Sequence, residues 1–324
     1  MKEGQAGTPS AQVIRQSDYR PPSHRITDLQ LEFELGLEET WLTSDFGFEP
    51  LLASSQDGPT DLLLAGDGLC FEAAWLNDEP LHAQAFQVSP EAFCLKNAST
   101  GRLRIRTRLQ PSANTELMGL YASRGGLYTQ CESEGFRRMT YFLDRPDVMT
   151  VYTVTLRAPV GQFPVLLSNG NLVKEYEDNG QRVSVWHDPF PKPSYLFALV
   201  AADLQCLEAF VTSLSGARKQ LQVYTRPQDL CRAEFALESL KHSVAWDEKR
   251  FGLELDLERF MIVAVPDFNS GAMENKGLNL FNTKYVLADP DTATDKDYEL
   301  VEAVIGHEYF HNWTGNRITC RDWF

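Results

Sequence analysis

Two hydrophobic periods divide this chain, and the point where one replaces the other constrains its architecture more than any other feature. From Ile26 to Leu35, the residues Leu29, Leu31, Phe33 and Leu35 alternate with Gln30, Glu32 and Glu34, the period of two that buries one face of a β-strand and wets the other. The pattern returns at Leu103, Ile105, Thr107 and Leu109, alternating with Arg102, Arg104, Arg106 and Arg108. Four arginines in that register, with no aromatic residues between them, fit an ion-paired or solvated sheet face better than a nucleic-acid patch. Further strand signals lie at Thr150 to Leu156, Pro164 to Leu167, Arg182 to Trp186 and Tyr195 to Val200. Asn169-Gly170 and Asn179-Gly180 supply dipeptides that suit type I′ hairpin turns. Residues 18–203 are therefore expected to form an all-antiparallel β domain behind a polar tail at 1–17.

After Asp203 the period lengthens. Leu230, Ala233, Leu237, Leu240 and Val244 recur every three or four residues, which predicts an amphipathic helix over roughly 229–247. Strand signals follow at Phe260 to Val265 and Leu278 to Leu287, and Thr294 three residues before Asp297 resembles a capping box opening a helix that runs to Phe310. Residues 204–324 thus read as a second, mixed α/β domain. A chain of 324 residues that is 43% apolar has the material for both cores. Its 30 basic against 45 acidic residues give a net charge of −15, which argues against nucleic acid or an anionic membrane as the main partner.

No basic start followed by an apolar core opens the sequence, and its longest apolar stretches are too short to span a bilayer. A cytoplasmic protein is expected. The six cysteines are scattered without a CxxC pair, which suits reduced core thiols rather than a disulfide frame or a thiolate metal site. Sequons at Asn97 and Asn312 carry no weight outside a secreted protein. The acidic stretch from Asp289 to Glu299 is no calcium loop, because Ala293 and Leu300 stand where oxygen ligands are needed.

The chemistry is concentrated in His307-Glu308-Tyr309-Phe310-His311. On a helix, histidines at i and i+4 project from one face, so their imidazoles can converge on one ion while Glu308 points about a quarter-turn away. Zn²⁺ wants such neutral nitrogen ligands and an open position for water, and an adjacent carboxylate can take the proton when that water attacks a carbonyl. Thr314 and Arg317 occupy the places where a metzincin carries Gly and His, which excludes that class.

Gly271-Ala272-Met273-Glu274-Asn275 lies upstream of this motif, and Asn312-Trp313-Thr314-Gly315-Asn316 follows it. The pair of motifs, in this order and spacing, resembles the gluzincin zinc aminopeptidase family of the bacterial alanyl type. The likeness extends from about Asp18 to Phe324, through Asp188-Pro189-Phe190-Pro191-Lys192-Pro193. The resemblance implies a multi-domain protein: a saddle-like N-terminal β domain, then the start of a thermolysin-like catalytic domain. It implies that His307 and His311 hold Zn²⁺, that Glu308 is the general base, and that peptides with a free N-terminus are the substrates. Glu274 and, from the segment Gln130-Cys131-Glu132, Gln130 and Glu132 would hold the substrate's α-ammonium, a cation that needs charged acceptors once removed from water. The 271–275 backbone would bind extended substrate as an added strand. Ser270 stands where the bacterial relatives carry Met, which alters the expected side-chain preference.

The gluzincin pattern also requires a third ligand, a Glu roughly 19 residues beyond His311, near position 330. Glu302 projects from nearly the opposite side of the helix, and Asp322 is too close to His311, so neither replaces it. By the resemblance, the family's transition-state tyrosine, the rest of the catalytic domain and a helical C-terminal domain would, like that ligand, be expected beyond Phe324. Two readings follow. The chain is the N-terminal portion of an aminopeptidase, nearly inactive on its own, whose missing C-terminal part is its partner; or it is a non-catalytic peptide-binding remnant.

Overall fold

The computed structural model describes residue 13 and residues 15–51 and 60–323; most of the expected polar tail falls outside the described residues. The strands, in chain order, are β1 (His24–Glu34), β2 (Thr40–Pro50), β3 (Thr60–Ala65), β4 (Cys70–Leu76), β5 (Glu79–Pro80), β6 (Phe86–Ser89), β7 (Ala92–Ala98), β8 (Gly101–Leu109), β9 (Gly119–Ser123), β10 (Gly126–Gln130), β11 (Thr150–Pro159), β12 (Val165–Ser168), β13 (Asn171–Asp178), β14 (Gln181–Lys192) and β15 (Leu199–Ala202). Among the described residues these form an eight-stranded sheet in the order β13-β14-β11-β1-β2-β8-β4-β5, a four-stranded sheet β12-β15-β10-β9 and a three-stranded sheet β3-β7-β6.

The alternation does what its period dictates. In β1 the buried residues Leu29, Leu31 and Phe33 interleave with exposed ones, and the phase slips between Ile26 and Leu29 because the register with β2 shifts between Ile26 and Asp28, a local bulge. In β8 the apolar positions are buried and the arginines lie half-buried on the other face. There Arg102 and Arg104 meet Asp45, Arg106 meets Glu34 and Arg108 meets Glu72. Arg106 also lies 4.8 Å from the centre of the Trp41 ring, so the face is ion-paired.

The all-β expectation holds, but the all-antiparallel one needs correction: β1 pairs with β11 in parallel, Leu31 opposite Val154. Alternation reports which face is buried and not strand direction, and β11 reaches β1 after a connection long enough to allow either. The two Asn-Gly turns also divide. Asn179 and Gly180 both have positive φ (48° and 77°) and join paired strands β13 and β14, with Asp178 opposite Gln181, as a type I′ hairpin requires. Asn169-Gly170 is instead a corner where the chain changes sheets, since β12 pairs with β15 and β13 with β14. Gly170 (φ 89°) passes so close to His187 that a Cβ there would collide with its backbone. The Asn169 side chain is buried and donates to Leu196 O (3.0 Å) and Lys276 O (2.8 Å) while accepting from Ala198 N (2.8 Å).

A new sheet begins beyond Asp203. Strands β16 (Gln205–Thr212), β17 (Arg218–Thr225), β18 (Arg259–Val265), β19 (Ala272–Met273) and β20 (Leu278–Asn282) lie in the order β16-β17-β18-β20-β19. The run β17-β18-β20 is parallel, and β19 is an antiparallel edge strand. Helices α1 (Glu234–Phe251) and α2 (Asp295–Phe310) cover one face. In β18, Met261, Val263 and Val265 pack toward the β region, while Phe260, Ile262 and Ala264 pack under the helices. From Phe260 onward that strand is apolar because both its faces are covered.

Helix α1 starts later than its periodicity suggests, since residues 227–232 wind as a 3-10 turn behind Pro227; it ends on left-handed Gly252 (φ 67°). Helix α2 opens on the expected capping box, in which Thr294 N donates to Asp297 Oδ2 (2.8 Å) and Asp297 N to Thr294 Oγ1 (3.3 Å). Residues 194–196 are a 3-10 turn rather than strand, and the 278–287 segment leaves the sheet after Asn282 for a second such turn. The cysteines are free, but the core expectation holds only for Cys131: Cys70, Cys231 and Cys320 are exposed. A small thiol is tolerated at a strand end or turn as readily as inside. No helix among the described residues is long and apolar enough to cross a membrane.

Candidate metal centre

Both histidines sit at the C-terminal end of α2, His307 in its last turn and His311 as the C-cap residue, still with helical dihedrals (φ −60°, ψ −15°). Their Nε2 atoms face each other at 2.9 Å with the rings nearly perpendicular. His311 Nδ1 lies 2.6 Å from Thr314 O. A carbonyl can only accept, so Nδ1 carries the proton, and in the neutral ring Nε2 is left as a lone-pair donor. Burial and the adjacent His311 ring hold the His307 pKa below its ordinary value, with Glu274 acting in the other direction. His307 is thus biased toward the neutral form that a metal ion requires.

Three carboxylates crowd this pair. One ligand atom from each of Glu274, Glu308 and His311 lies within 4.8 Å of the others. Glu308 is buried, its Oε2 makes no hydrogen bond, and burial reinforced by Glu274 and Glu132 pushes its pKa up to about 8. Glu132 is likewise raised, first by burial and then by Glu274, with His311 opposing. Anionic groups forced together out of water hold protons unless a cation joins them. The histidine pair offers a place for one. Two nitrogens on a single tetrahedral zinc sit roughly 3.3 Å apart, so the observed 2.9 Å needs only a slight opening. The residues therefore fit zinc, with Glu274 and Glu308 grouped tightly with His311; among the described residues no further acid belongs to that group, Glu132 lying just outside it.

The chain brings these groups together from both of its regions. Gln130 ends β10, buried, with its Oε1 unpartnered and its Nε2 3.4 Å from Glu132 O. Gly271 precedes, Ala272 and Met273 form, and Glu274 follows the edge strand β19, whose inner side pairs Ala272 with Phe281 and Met273 with Leu280. Asn275 is fully buried; its backbone oxygen accepts from Leu278 N and Asn279 Nδ2, while its side-chain atoms have no hydrogen-bond partner. Ser270 is exposed. Glu302 points away toward His242, and Asp322 pairs with Arg321. Ile305 is buried and Val304 half-buried beneath α1 and the sheet, whereas His307 is exposed.

Two contributors escaped the sequence reading. Thr314 acts through its backbone, which no side-chain pattern reports. Tyr195 lies in a segment expected to be strand, yet it is buried, and burial raises its pKa, with the Thr319 hydrogen bond opposing and Cys320, Glu274 and Glu132 adding to the rise.

The family description "Peptidase M1 N-terminal domain" matches residues 76–196 and "Peptidase family M1 domain" matches residues 235–324. Aminopeptidase N of Escherichia coli (strain K12) is 50% identical over 98% of this chain, and that of Haemophilus influenzae 48% identical over 97%. Among solved structures, Legionella pneumophila aminopeptidase A in complex with aspartic acid superposes with a TM-score of 0.90 at 35% identity over 95% of this chain. In each case the chain spans 36% of the relative's length.

Proposed function

The chain belongs to peptidase family M1, and from that premise we propose that its site is the centre of a cytoplasmic zinc aminopeptidase that removes N-terminal residues from peptides. The observation that carries the proposal is the crowding of Glu132, Glu274 and Glu308 against two facing imidazoles. So many carboxylates match two cations: a metal ion on the histidines and a substrate ammonium beside them. His307 and His311 would hold zinc, which when bound supplies Lewis acidity toward the scissile carbonyl and the attacking water. Glu308 takes the proton from that water and passes it to the leaving amine. Both cations favour its ionised form and so counter the upward push of its neighbours. Glu132 and Glu274 accept hydrogen bonds from the α-ammonium, Gln130 adds its free amide oxygen, and the outer edge of β19 takes the extended substrate backbone. The named relatives are aminopeptidases, which supports the same reading.

A polypeptide of these 324 residues alone would hold zinc weakly and turn over little, because two imidazoles without a third protein ligand do not complete the tetrahedral set. The test uses the complete gene product. Glu308→Gln should lower kcat on an aminoacyl anilide by roughly 10²–10⁴-fold while zinc stays bound. Parental turnover in that variant would refute the assignment.

A further inference from the structure

The inference rests on the zinc reading of His307 and His311 and concerns what aims His311. That residue lies one position past the end of α2, so its ring direction depends on the turn that follows. The turn is tightly tied: Asn316 N donates to His311 O (2.8 Å), Gly315 N to Ile318 O (2.8 Å) and Ile318 N to Trp313 O (2.8 Å). Gly315 adopts φ 145°, and a Cβ there would lie 2.8 Å from His311 Nδ1. The turn is thus pressed against the imidazole while Thr314 O holds its Nδ1 proton. What fixes the turn comes from the β region. Tyr195, 2% exposed and packed edge-on against Trp323, donates its hydroxyl proton to Gly315 O (3.0 Å) and lies 2.6 Å from Thr319 Oγ1. A phenol has one proton to give, so Thr319 donates back to the Tyr195 oxygen.

We propose that Tyr195 is a positioning residue for the metal centre, a strut from the N-terminal β region that holds the Thr314–Gly315 turn and through it points His311 Nε2 at the metal. Groups that orient metal-bound histidines typically shift metal affinity by 10- to 100-fold when removed. Tyr195 acts one bond further out, so a loss of roughly tenfold is expected.

The test is made on the complete gene product, stripped of metal by a chelator and titrated with zinc against a chromophoric competitor. Tyr195→Phe keeps the ring and removes the hydroxyl; it should raise the zinc Kd roughly tenfold and alter the visible absorption of the cobalt-substituted protein. A lowered melting temperature of the metal-free variant with a parental zinc Kd would make the hydroxyl merely structural and overturn the inference. If Tyr195→Phe does not fold, Thr319→Val, which removes the returning hydrogen bond, should also raise the Kd, and a parental value there overturns it. If the parent protein binds no zinc, the zinc reading falls with it; if the parent binds zinc and both variants match it, only the role of Tyr195 falls.

Discussion

At the residue scale, the division of labour among the carboxylates follows from where each is buried. Glu308 is buried beside the histidines, whereas Glu132 and Glu274 are partly open to the site. Glu132→Gln keeps size and hydrogen bonding but removes one negative charge from the expected ammonium pocket. In the complete gene product it should raise KM for a free-amino substrate roughly tenfold or more while changing kcat at most about threefold, as initial-rate kinetics would establish; an unchanged KM would remove Glu132 from the pocket. The histidines and Glu308 were legible because helical spacing alone fixes their relative directions. Gln130 and Glu132 were visible only through resemblance, since nothing in a sequence says that a loop after β10 will meet a helix some 175 positions later. Tyr195 and the Thr314 carbonyl left no signal, because one acts through a fold-level contact and the other through its backbone.

At the element scale, the same logic separates what periodicity could and could not deliver. The capping box at Thr294 and the hairpin at Asn179-Gly180 are local and were readable; the parallel β1–β11 pair and the sheet-changing corner at Asn169 depend on partners far away in sequence. Helix α1 carries a different kind of local conflict. Asp247 is 2% exposed, its Oδ2 has no hydrogen-bond partner, and burial pushes its pKa up to about 6. The folded state therefore binds this proton more tightly than the unfolded chain, so the contribution of Asp247 to stability is greatest at acid pH and declines as pH rises from the ordinary carboxylate range through about 6. Asp247→Asn removes the buried charge. It should stabilise the 324-residue polypeptide by about 1–3 kcal/mol at pH 8 and by little at pH 4, measured by urea denaturation. Equal effects at both pH values would show that ionisation of Asp247 is not the cause.

At the scale of the whole molecule, the site exists only because two regions of different grammar are locked together. Asn169 bridges the β region to Lys276 O, Tyr121 OH reaches Asp267 O (3.1 Å), Ser123 Oγ reaches Asp267 Oδ2 (2.7 Å), and Tyr195 reaches Gly315. The five-stranded sheet buries one face against the β region and the other under α1 and α2. The β region contributes Gln130 and Glu132, and the α/β region contributes the histidines, Glu308 and Glu274, so the expected ammonium pocket lies at their junction. On this reading the junction recognises a free amino end. The most direct test compares hydrolysis by the complete gene product of one peptide with its N-terminus free and with it acetylated, every other atom being the same. Acetylation should lower kcat/KM at least roughly 10²-fold, the loss expected when an ammonium is replaced by a neutral amide between half-buried carboxylates. Equal hydrolysis of the two peptides would contradict that reading.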